Sequence, residues 1–324
     1  MVVKKEVEIG GRVFSIETGK YAKQANGSVM VRYGDTMVLV TAVAASEAKE
    51  GLDYFPLQVE YREKTSAAGK FPGGYIKREG RPTEKEILSS RLCDRPIRPL
   101  FPASFTNETQ VVAMVMSYDG ENDADVLAAC GASAALAISD IPFDGPMAEV
   151  RVGRINGGLI VNPTHEQIKL GDIELVVAGT ADSIMMVEGE SKEVSEQELL
   201  DALKFAQQEI KKIVELQNQL VAEAGKTKWT VEEKTVDANL KKEVYDLAEA
   251  KFKEIVYSIL AKEERASKNK ELSESVKQAL AEKYPEQEKV IGEILHDMEK
   301  DLMRERILKE GVRLDGRNTT QVRP

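Results

Sequence analysis

Cationic side chains are concentrated between Lys70 and Arg98, where their number and spacing could bind a polyanion. This stretch holds eight basic and four acidic residues, a local charge of +4, although the whole chain of 324 residues carries −10. The basic residues are Lys70, Lys77, Arg78, Arg81, Lys85, Arg91, Arg95 and Arg98. An acidic protein that gathers positive charge on one segment presents a local electrostatic footprint for phosphate groups. The pattern therefore predicts binding of a phosphate-rich ligand.

The first part of this stretch combines a flexible backbone with an aromatic and cationic tip. The glycines are Gly73, Gly74 and Gly80, and the tip is Tyr75-Ile76-Lys77-Arg78. Glycine lets a loop adopt unusual dihedral angles or lets another chain approach closely. An aromatic ring can stack on a base while neighbouring cations neutralise the backbone phosphates. This arrangement predicts a grip on single-stranded nucleic acid.

A helix with two arginines is predicted directly after the loop, and a third arginine follows the end of the helix. The motif Thr83-x-x-Glu86 is a capping box, so the helix is expected to start near Glu84 and to end at Pro96. The arginines are Arg91, Arg95 and Arg98. The first two are four residues apart and share a helix face. Guanidinium groups can bind phosphate oxygens in pairs, which lysine cannot do.

A structural alternative stays open for the same residues. Arg91 and Arg95 could pair with Asp94, Glu84 or acids elsewhere in the chain, and the glycine-rich loop could be a plain connector. Alternating charge on a helix is usually a solvated face. The loop, the arginine spacing and the acidic background together favour phosphate or nucleic-acid binding.

The composition is that of a soluble globular protein. It is 42% hydrophobic and 31% charged, values typical of folded domains. No apolar run approaches the roughly 18 residues of a membrane span, and the N-terminus has no signal-peptide or transit-peptide pattern. Cys93 and Cys130 are the two cysteines, too few for a disulfide framework. We expect a cytoplasmic protein in a reducing compartment, with no membrane partner.

Other candidate metal or catalytic residues are few. His165 and His296 lie too far apart for metal-ligand spacing, and the sequence around His165 favours a loop. Asp119, Asp123 and Asp125 form an acidic group that favours a turn and a helix cap over a metal site. The sequence therefore predicts no metal site and no catalytic constellation in this chain.

The first part of the chain alternates short apolar strands with glycine turns. A hairpin is predicted over 28–33 and 36–43, a buried helix over 123–138, and a long amphipathic helix after the capping box Ser195-x-x-Glu198. Further strands are predicted at 111–117, 148–155, 158–162, 174–178 and 183–188. This order of elements indicates an α+β domain.

Beyond about residue 225 the chain becomes rich in Lys and Glu and reads as helical. We expect three helices between 237 and 309, the second over about 273–283 and the third beginning near Pro285. Trp229 could anchor the connecting segment onto one domain. The predicted domains are 1–225 (α+β), 226–236 (linker) and 237–310 (small all-α).

The stretch FPGGYIKREGRPTEKEILSSRLCDRPIRPLFP, residues 71–102, resembles the matching segment of bacterial polynucleotide phosphorylases. AKQANGSVMVRYGDTMVLVTA is similar to the first strands of an RNase PH-type domain. The closing GVRLDGRNTTQVRP is similar to the entry into a second such domain, which places a truncated start at 311–324. The resemblance implies an RNase PH-like (ribosomal protein S5 domain 2-like) mixed-sheet fold, followed by the all-α domain.

The resemblance also implies an activity, which is phosphate-dependent 3′-5′ degradation of single-stranded RNA by a polyribonucleotide nucleotidyltransferase. Inorganic phosphate would be the co-substrate, Mg²⁺ the cofactor, and nucleoside diphosphates the products. The implied assembly is a cytoplasmic homotrimer with a central RNA channel, active in mRNA catabolism and open to partners in RNA-degradation complexes.

Site residues follow by the same resemblance. The tip Tyr75-Ile76-Lys77-Arg78 matches the loop that constricts the channel, where the family typically has two phenylalanines and two arginines. Here one aromatic ring is kept, Ile76 replaces the second, and Lys77 replaces an arginine. Arg91, Arg95 and Arg98 match basic positions near the RNA path. All seven are predicted RNA-binding residues.

In the resembled family, the phosphate-binding serines, the metal-binding acids and the general-acid lysine belong to the second core domain. We therefore expect this chain to supply RNA-channel and assembly surfaces and to lack the catalytic residues. The alternative is a non-catalytic RNA-binding or assembly module. The helical domain could be a spacer, which its Lys/Glu balance favours, or a partner surface.

Overall fold

The computed structural model describes residues 1–49, 52, 54–231 and 237–323. The chain folds into two compact units, Met1–Glu232 and Glu233–Pro324. Residues 232–236 of the predicted linker lie outside the described residues, as does Pro324 of the predicted second-domain start.

Ten strands of the first unit form two sheets. The strands are β1 (Val3–Ile9), β2 (Arg12–Thr18), β3 (Gly27–Tyr33), β4 (Thr36–Ala44), β5 (Leu57–Glu63), β6 (Thr109–Ser117), β7 (Ala148–Ile155), β8 (Gly158–Val161), β9 (Ile173–Gly179) and β10 (Ile184–Ser191). The first sheet has the order β1-β2-β3-β4-β6-β5, in which β5 and β6 are parallel and the other neighbours antiparallel. The second sheet is antiparallel, with the order β10-β9-β7-β8. The first sheet is thus mixed, as expected.

Four helices pack with these sheets, α1 (Glu84–Ile97), α2 (Asp125–Ile138), α3 (His165–Leu170) and α4 (Glu196–Ala224). Helix α2 is buried along its whole length and contacts β3, β4 and β7, so it joins the cores of both sheets. Its small side chains allow this approach. A Cβ atom at Gly131 would lie 2.5 Å from a methyl carbon of Val40, so glycine is required there.

Helix α4 starts at the predicted capping box and covers both sheets through β1 and β7. The segment after α4 then returns to the end of α2. The Lys228 ammonium group donates to the carbonyl oxygens of Leu136, Ala137 and Ser139 at 2.7–2.9 Å. The Trp229 N–H donates to the carbonyl oxygen of Asp140. A cation on helix C-terminal carbonyls satisfies otherwise unpaired acceptors and complements the helix dipole.

The described part of the second unit contains three helices, α5 (Ala238–Tyr257), α6 (Lys262–Leu280) and α7 (Glu288–Glu310), around their own apolar core. The buried side chain of Arg306 donates to the carbonyl oxygen of Val256 and lies over the ring of Tyr257. This contact secures the last turn of α5 against α7. In the described ranges of both units, no helix is both long and apolar enough to cross a bilayer.

Most predicted elements are confirmed, including the hairpin, the buried helix, both capping boxes and the three C-terminal helices. The predicted stop at Pro96 is wrong. Helix α1 continues through Pro96 to Ile97 and into a short 3₁₀ turn, Arg98–Leu100. The Arg98 N–H still donates to the carbonyl oxygen of Asp94, so a proline in the last turn removes one hydrogen bond without ending the helix.

Two helix starts and one loop also differ from the prediction. Helix α6 starts at Lys262 and not near 273. The sequence does not indicate the earlier start, because the first turns of the helix are mostly exposed and have no apolar periodicity. Helix α7 starts at Glu288 and not at Pro285, because Glu286 has a positive φ of 65°. His165 is not a loop residue. It begins α3, whose capping box pairs Thr164 with Gln167.

Candidate nucleic-acid interface

Helix α1 begins with a complete capping box that is also tied to the first sheet. The Glu86 N–H donates to Oγ1 of Thr83 (3.2 Å), and the Glu86 carboxylate accepts from the Thr83 N–H (2.6 Å). The second oxygen of Glu86 accepts from the Glu63 N–H at the end of β5 (3.0 Å). Burial alone would raise the pKa of Glu86, but these donors lower it below its usual value. The start of α1 is therefore fixed relative to β5.

Helix α1 buries one face and exposes its arginines on another. Ser89, Cys93 and Ile97 are buried, whereas Arg91 and Arg95 are exposed. Cys93 belongs to the core of the first unit, and burial raises the pKa of its thiol well above its usual value. The packing of the apolar face thus directs the guanidinium groups outward.

The tip of the preceding loop is the most exposed part of the interface. The Tyr75 ring is fully exposed, and Ile76 is 73% exposed. Lys77 adopts a left-handed backbone conformation with φ of 53°. In the described part of the chain, no hydrogen bond or ion pair engages the side chains of Tyr75, Lys77 or Arg78. Two cations and one aromatic ring therefore face solvent.

A second aromatic ring is exposed on the same loop. Phe71 is 90% exposed and lies four residues before Tyr75 in the sequence. Phe71 is not among the predicted RNA-binding residues, because within this stretch the sequence places an aromatic ring close to two consecutive cations only at the tip. The sequence does indicate that Phe71 is exposed, because it stands beside Pro72 and two glycines, where no helix or strand can bury an apolar side chain.

The three arginines of α1 and its C-terminal turn differ in their partners. Arg95 pairs with Glu188 of β10, and both side chains are about half exposed. Arg98 forms a two-pronged contact with Asp94 (3.0 and 2.6 Å) and also donates to the carbonyl oxygen of Leu57 (3.1 Å). Within the described residues, Arg91 has no acidic partner. The pairing alternative thus holds for Arg95 and, within the described residues, fails for Arg91; Arg98 is paired as well.

Lys85 belongs to a different environment. Its ammonium group lies 3.0 Å from Glu63 and 3.6 Å from Asp123. Burial would lower its pKa, but these two carboxylates raise it above its usual value. Lys85 is part of the stretch by sequence, yet its charge is neutralised inside the first unit.

A network of opposite charges fills the region where α2 begins. Arg151 lies 2.6 Å from Asp125 and 2.6 Å from Glu174. Burial raises the pKa of Asp125, whereas the Arg151 guanidinium lowers it. His165 lies 2.7 Å from the Tyr118 hydroxyl and 3.7 Å from an oxygen of Asp123. Arg151 is thus paired with carboxylates through its two terminal nitrogens, while its Nε is buried without a hydrogen-bond partner among the described residues.

The acidic group around Asp119 does not fit a divalent cation. Asp119 accepts from the N–H groups of Glu121 and Asn122, each at 2.9 Å, and so closes the turn before α2. The oxygens of Asp123 and Asp125 face Arg151. In the ranges that the structure describes, no three His, Cys, Asp or Glu side chains are placed to hold a metal ion. The Mg²⁺ that the resemblance implies therefore has no ligand set here.

Three family profiles match most of the chain. Residues 10–142 match domain 1 of the 3′ exoribonuclease family, and residues 145–209 match its domain 2. Residues 239–318 match a profile described as the RNA binding domain of polyribonucleotide nucleotidyltransferase. The first two profiles fall in the first unit and the third falls in the helical unit.

Curated relatives agree over the whole chain. The polyribonucleotide nucleotidyltransferase of Geobacter sulfurreducens is 51% identical over 99% of this chain and 46% of its own length. Those of Chlorobaculum parvum and Prosthecochloris aestuarii are 50% and 47% identical over 100% of this chain and 47% of their own lengths. The chain spans about half the length of the curated relatives it matches.

About two thirds of the chain matches the fold of a solved structure titled "archaeoglobus fulgidus exosome with RNA bound to the active site". The match has a TM-score of 0.50 and 18% identity, covering 66% of this chain and 87% of that chain. Fold, profiles and relatives together define a member of the 3′ exoribonuclease (RNase PH) family. Within that family, the chain belongs with the polyribonucleotide nucleotidyltransferases.

Proposed function

We propose that this chain is part of a phosphate-dependent 3′-5′ exoribonuclease that degrades single-stranded RNA to nucleoside diphosphates. The identity to polyribonucleotide nucleotidyltransferases supports the activity of the intact protein. The contribution of the chain itself is RNA binding and assembly. The observation that carries this contribution is the exposed, unpaired tip of the loop, Tyr75-Ile76-Lys77-Arg78.

Each residue of the interface has a physical role in this proposal. The Tyr75 ring stacks on one base, while Lys77 and Arg78 neutralise neighbouring phosphates. Arg91 offers a free guanidinium fork to a phosphate of the strand. Arg95 and Arg98 bind further phosphates of the strand by exchanging their ion pairs with Glu188 and Asp94, since exposed ion pairs are weak. Ile76 adds apolar contact but no stacking.

The bond-breaking chemistry belongs to residues outside this chain. An oxygen of inorganic phosphate attacks the phosphorus of the last phosphodiester, the bond to the preceding 3′ oxygen breaks, and a nucleoside diphosphate leaves. We assign Mg²⁺ and the groups that bind the attacking phosphate to other parts of the intact protein. The residues of this chain hold and orient the strand, which lowers the entropic cost of the reaction.

We further propose a homotrimer around an RNA channel, a cytoplasmic location, and a role in mRNA catabolism with partners in RNA-degradation complexes. A second candidate function is a non-catalytic RNA-binding or assembly module. The profile of the helical unit, described as an RNA binding domain, favours RNA contact by that unit over a pure spacer.

The loop is tested in the intact protein with the double variant Lys77→Ala/Arg78→Ala. We expect weaker binding of single-stranded RNA and a salt dependence flatter by about one to two units of slope, because two phosphate contacts are lost. The matched control, Lys20→Ala/Lys23→Ala, removes two exposed lysines from another loop of the same unit. Equal effects of the two variants would mean that the tip has no special role.

The proposal that this chain binds RNA without catalysing phosphorolysis is tested with the isolated chain of residues 1–324. We expect no release of nucleoside diphosphate from poly(A) in the presence of phosphate and Mg²⁺, while the intact protein releases it under the same conditions. Measurable phosphorolysis by the isolated chain would place catalytic residues here and contradict the proposal.

A further inference from the structure

The two ends of the basic loop, its incoming arm at Lys70 and its outgoing arm at Glu79, both contact Thr65. We call this meeting point the neck of the loop. Thr65 begins a short 3₁₀ helix, Thr65–Ala68, which the Tyr118 N–H anchors to the end of β6 through the carbonyl oxygen of Ala67 (3.1 Å). The Lys70 N–H, on the incoming arm of the loop, donates to the carbonyl oxygen of Thr65 (3.0 Å). The incoming arm is thus fixed to the sheet through Thr65.

The outgoing arm returns to the same residue through Glu79. One oxygen of the Glu79 carboxylate accepts from the Thr65 N–H (3.2 Å) and from its hydroxyl group (3.0 Å). Between Phe71 and Pro82, these are the only hydrogen bonds that the described chain contains. Among the described residues, Glu79 is therefore the hydrogen-bonded link between the outgoing arm and the rest of the first unit.

An acid at this position opposes the charge of the loop. Glu79 directly follows Lys77 and Arg78, so on electrostatic grounds alone it weakens the attraction of a polyanion. A carboxylate that binds two donors of Thr65 has a different effect, because it closes the loop and restricts the conformations that the tip can adopt. Restricting a binding loop before its ligand arrives reduces the entropy lost on binding.

We propose that Glu79 is a positioning residue, whose contact with Thr65 holds the tip Tyr75–Arg78 ready for the RNA strand. This inference rests on the proposed function, since it concerns the same loop and the same ligand. It assigns an RNA-binding role to an acid that never touches the RNA. If Glu79 acted through its charge alone, its removal would strengthen RNA binding. If Glu79 positions the loop, its removal weakens RNA binding.

The experiment compares three variants of the intact protein in binding of single-stranded poly(A). Glu79→Ala removes the tether and makes the loop more positive, and we expect the dissociation constant to rise roughly 3- to 10-fold, the effect of about one hydrogen-bonded contact. Glu79→Gln keeps an oxygen acceptor for Thr65 and removes only the charge, so it should bind as well as the parent or slightly better. Glu84→Ala, the matched control, removes an exposed acid that has no partner in the described chain and should not weaken binding.

A second measurement needs no RNA. Hydrogen exchange at the Thr65 amide should be slow in the parent and in Glu79→Gln, and about tenfold faster in Glu79→Ala, because its acceptor is lost. Unchanged exchange in Glu79→Ala would overturn the inference, and so would faster exchange with unchanged or tighter RNA binding. Failure of the parent itself to bind RNA would instead refute the proposed function, while the exchange result would still report on the neck.

Discussion

At the scale of single residues, the interface is defined by which cations are already engaged. Arg91 is free within the described chain, Arg95 shares its charge with exposed Glu188, and Arg98 binds Asp94 with two nitrogens. Lys85 is turned toward Glu63 and Asp123. Cations that are close in sequence therefore differ in how easily they can bind a phosphate, because some must first give up a carboxylate partner.

This difference predicts separate effects for Arg95→Ala and Lys85→Ala in the intact protein. Arg95→Ala should weaken RNA binding with little effect on stability, since its ion pair is exposed. Lys85→Ala should leave RNA binding nearly unchanged and lower the free energy of unfolding by about 0.5 kcal/mol, since it leaves two carboxylates without their cation. RNA titration and denaturant unfolding measure the two quantities.

The variant Glu188→Gln provides the control for the same argument. It frees Arg95 without removing it, so RNA affinity should rise at low salt and the difference should shrink as salt screens the pair. Weaker RNA binding by Glu188→Gln would mean that Arg95 acts as a structural contact. The same conclusion would follow if Lys85→Ala lost more RNA affinity than Arg95→Ala.

The residue types of the interface could be predicted from the sequence, but their partners could not. The spacing of Arg91 and Arg95 on one helix is a local property, and the structure exposes both. Glu188 lies 93 residues beyond Arg95, and no pattern connects the two before β10 is placed beside α1. The Thr65–Glu79 neck was missed for a similar reason, because an acid among cations resembles ordinary charge alternation.

At the scale of elements, turns and caps fix where α1 and α2 begin. Thr83 and Glu86 do so for α1 through a motif that is visible in the sequence. Asp119 does so before α2 by accepting hydrogen bonds from the N–H groups of Glu121 and Asn122 and from the Asn122 side chain. The capping box made the start of α1 predictable from the sequence, whereas the end of α1 depends on tertiary packing around the buried Pro96.

The Asp119 turn predicts a dependence of stability on acid pH. Burial would raise the pKa of Asp119, but its hydrogen bonds lower it to about 2. Because the folded-state pKa lies below the unfolded value of about 3.9, the stabilisation is present above about pH 4 and is lost as the pH falls towards 2. Asp119→Asn should therefore be less stable than the parent at neutral pH, and the difference should narrow in that window.

Denaturant unfolding of both proteins between about pH 6 and pH 2 measures this effect. Asp182→Asn, at an exposed position in the turn between β9 and β10, is the control and should follow the parent at every pH. A constant difference between Asp119→Asn and the parent across the range would mean that the carboxylate is not ionised more readily in the folded state.

At the scale of the whole molecule, a net charge of −10 coexists with a cationic loop of +4. An acidic surface repels polyanions, whereas a local positive field attracts them to one place. The α+β class and the three C-terminal helices followed from hydrophobic periodicity. The pairing of ten strands into two sheets did not, because the order of strands depends on contacts between distant segments.

The helical unit has its own concentration of positive charge. A cavity of about 590 Å³ has a lining that is half apolar and otherwise consists of five basic side chains and one acid, Lys262, Arg265, Arg313, Arg317, Arg323 and Asp315. Arg317 is paired with Asp315 (2.9 Å). In the described chain, Lys262 and Arg265 have no acidic partner. A basic cluster in a unit that matches an RNA-binding profile is a candidate second contact with the strand.

This cluster predicts that Lys262→Ala/Arg265→Ala, in the intact protein, weakens binding of long single-stranded RNA and flattens its salt dependence by about one to two units of slope. RNA that is too short to leave the loop of the first unit should bind almost as tightly as to the parent. The control, Lys241→Ala/Lys242→Ala, removes two exposed lysines from the start of α5 and should have little effect on either RNA. Equal slopes for both double variants and the parent would mean that the helical unit is a spacer, because its cations would then release no counterions when the strand binds.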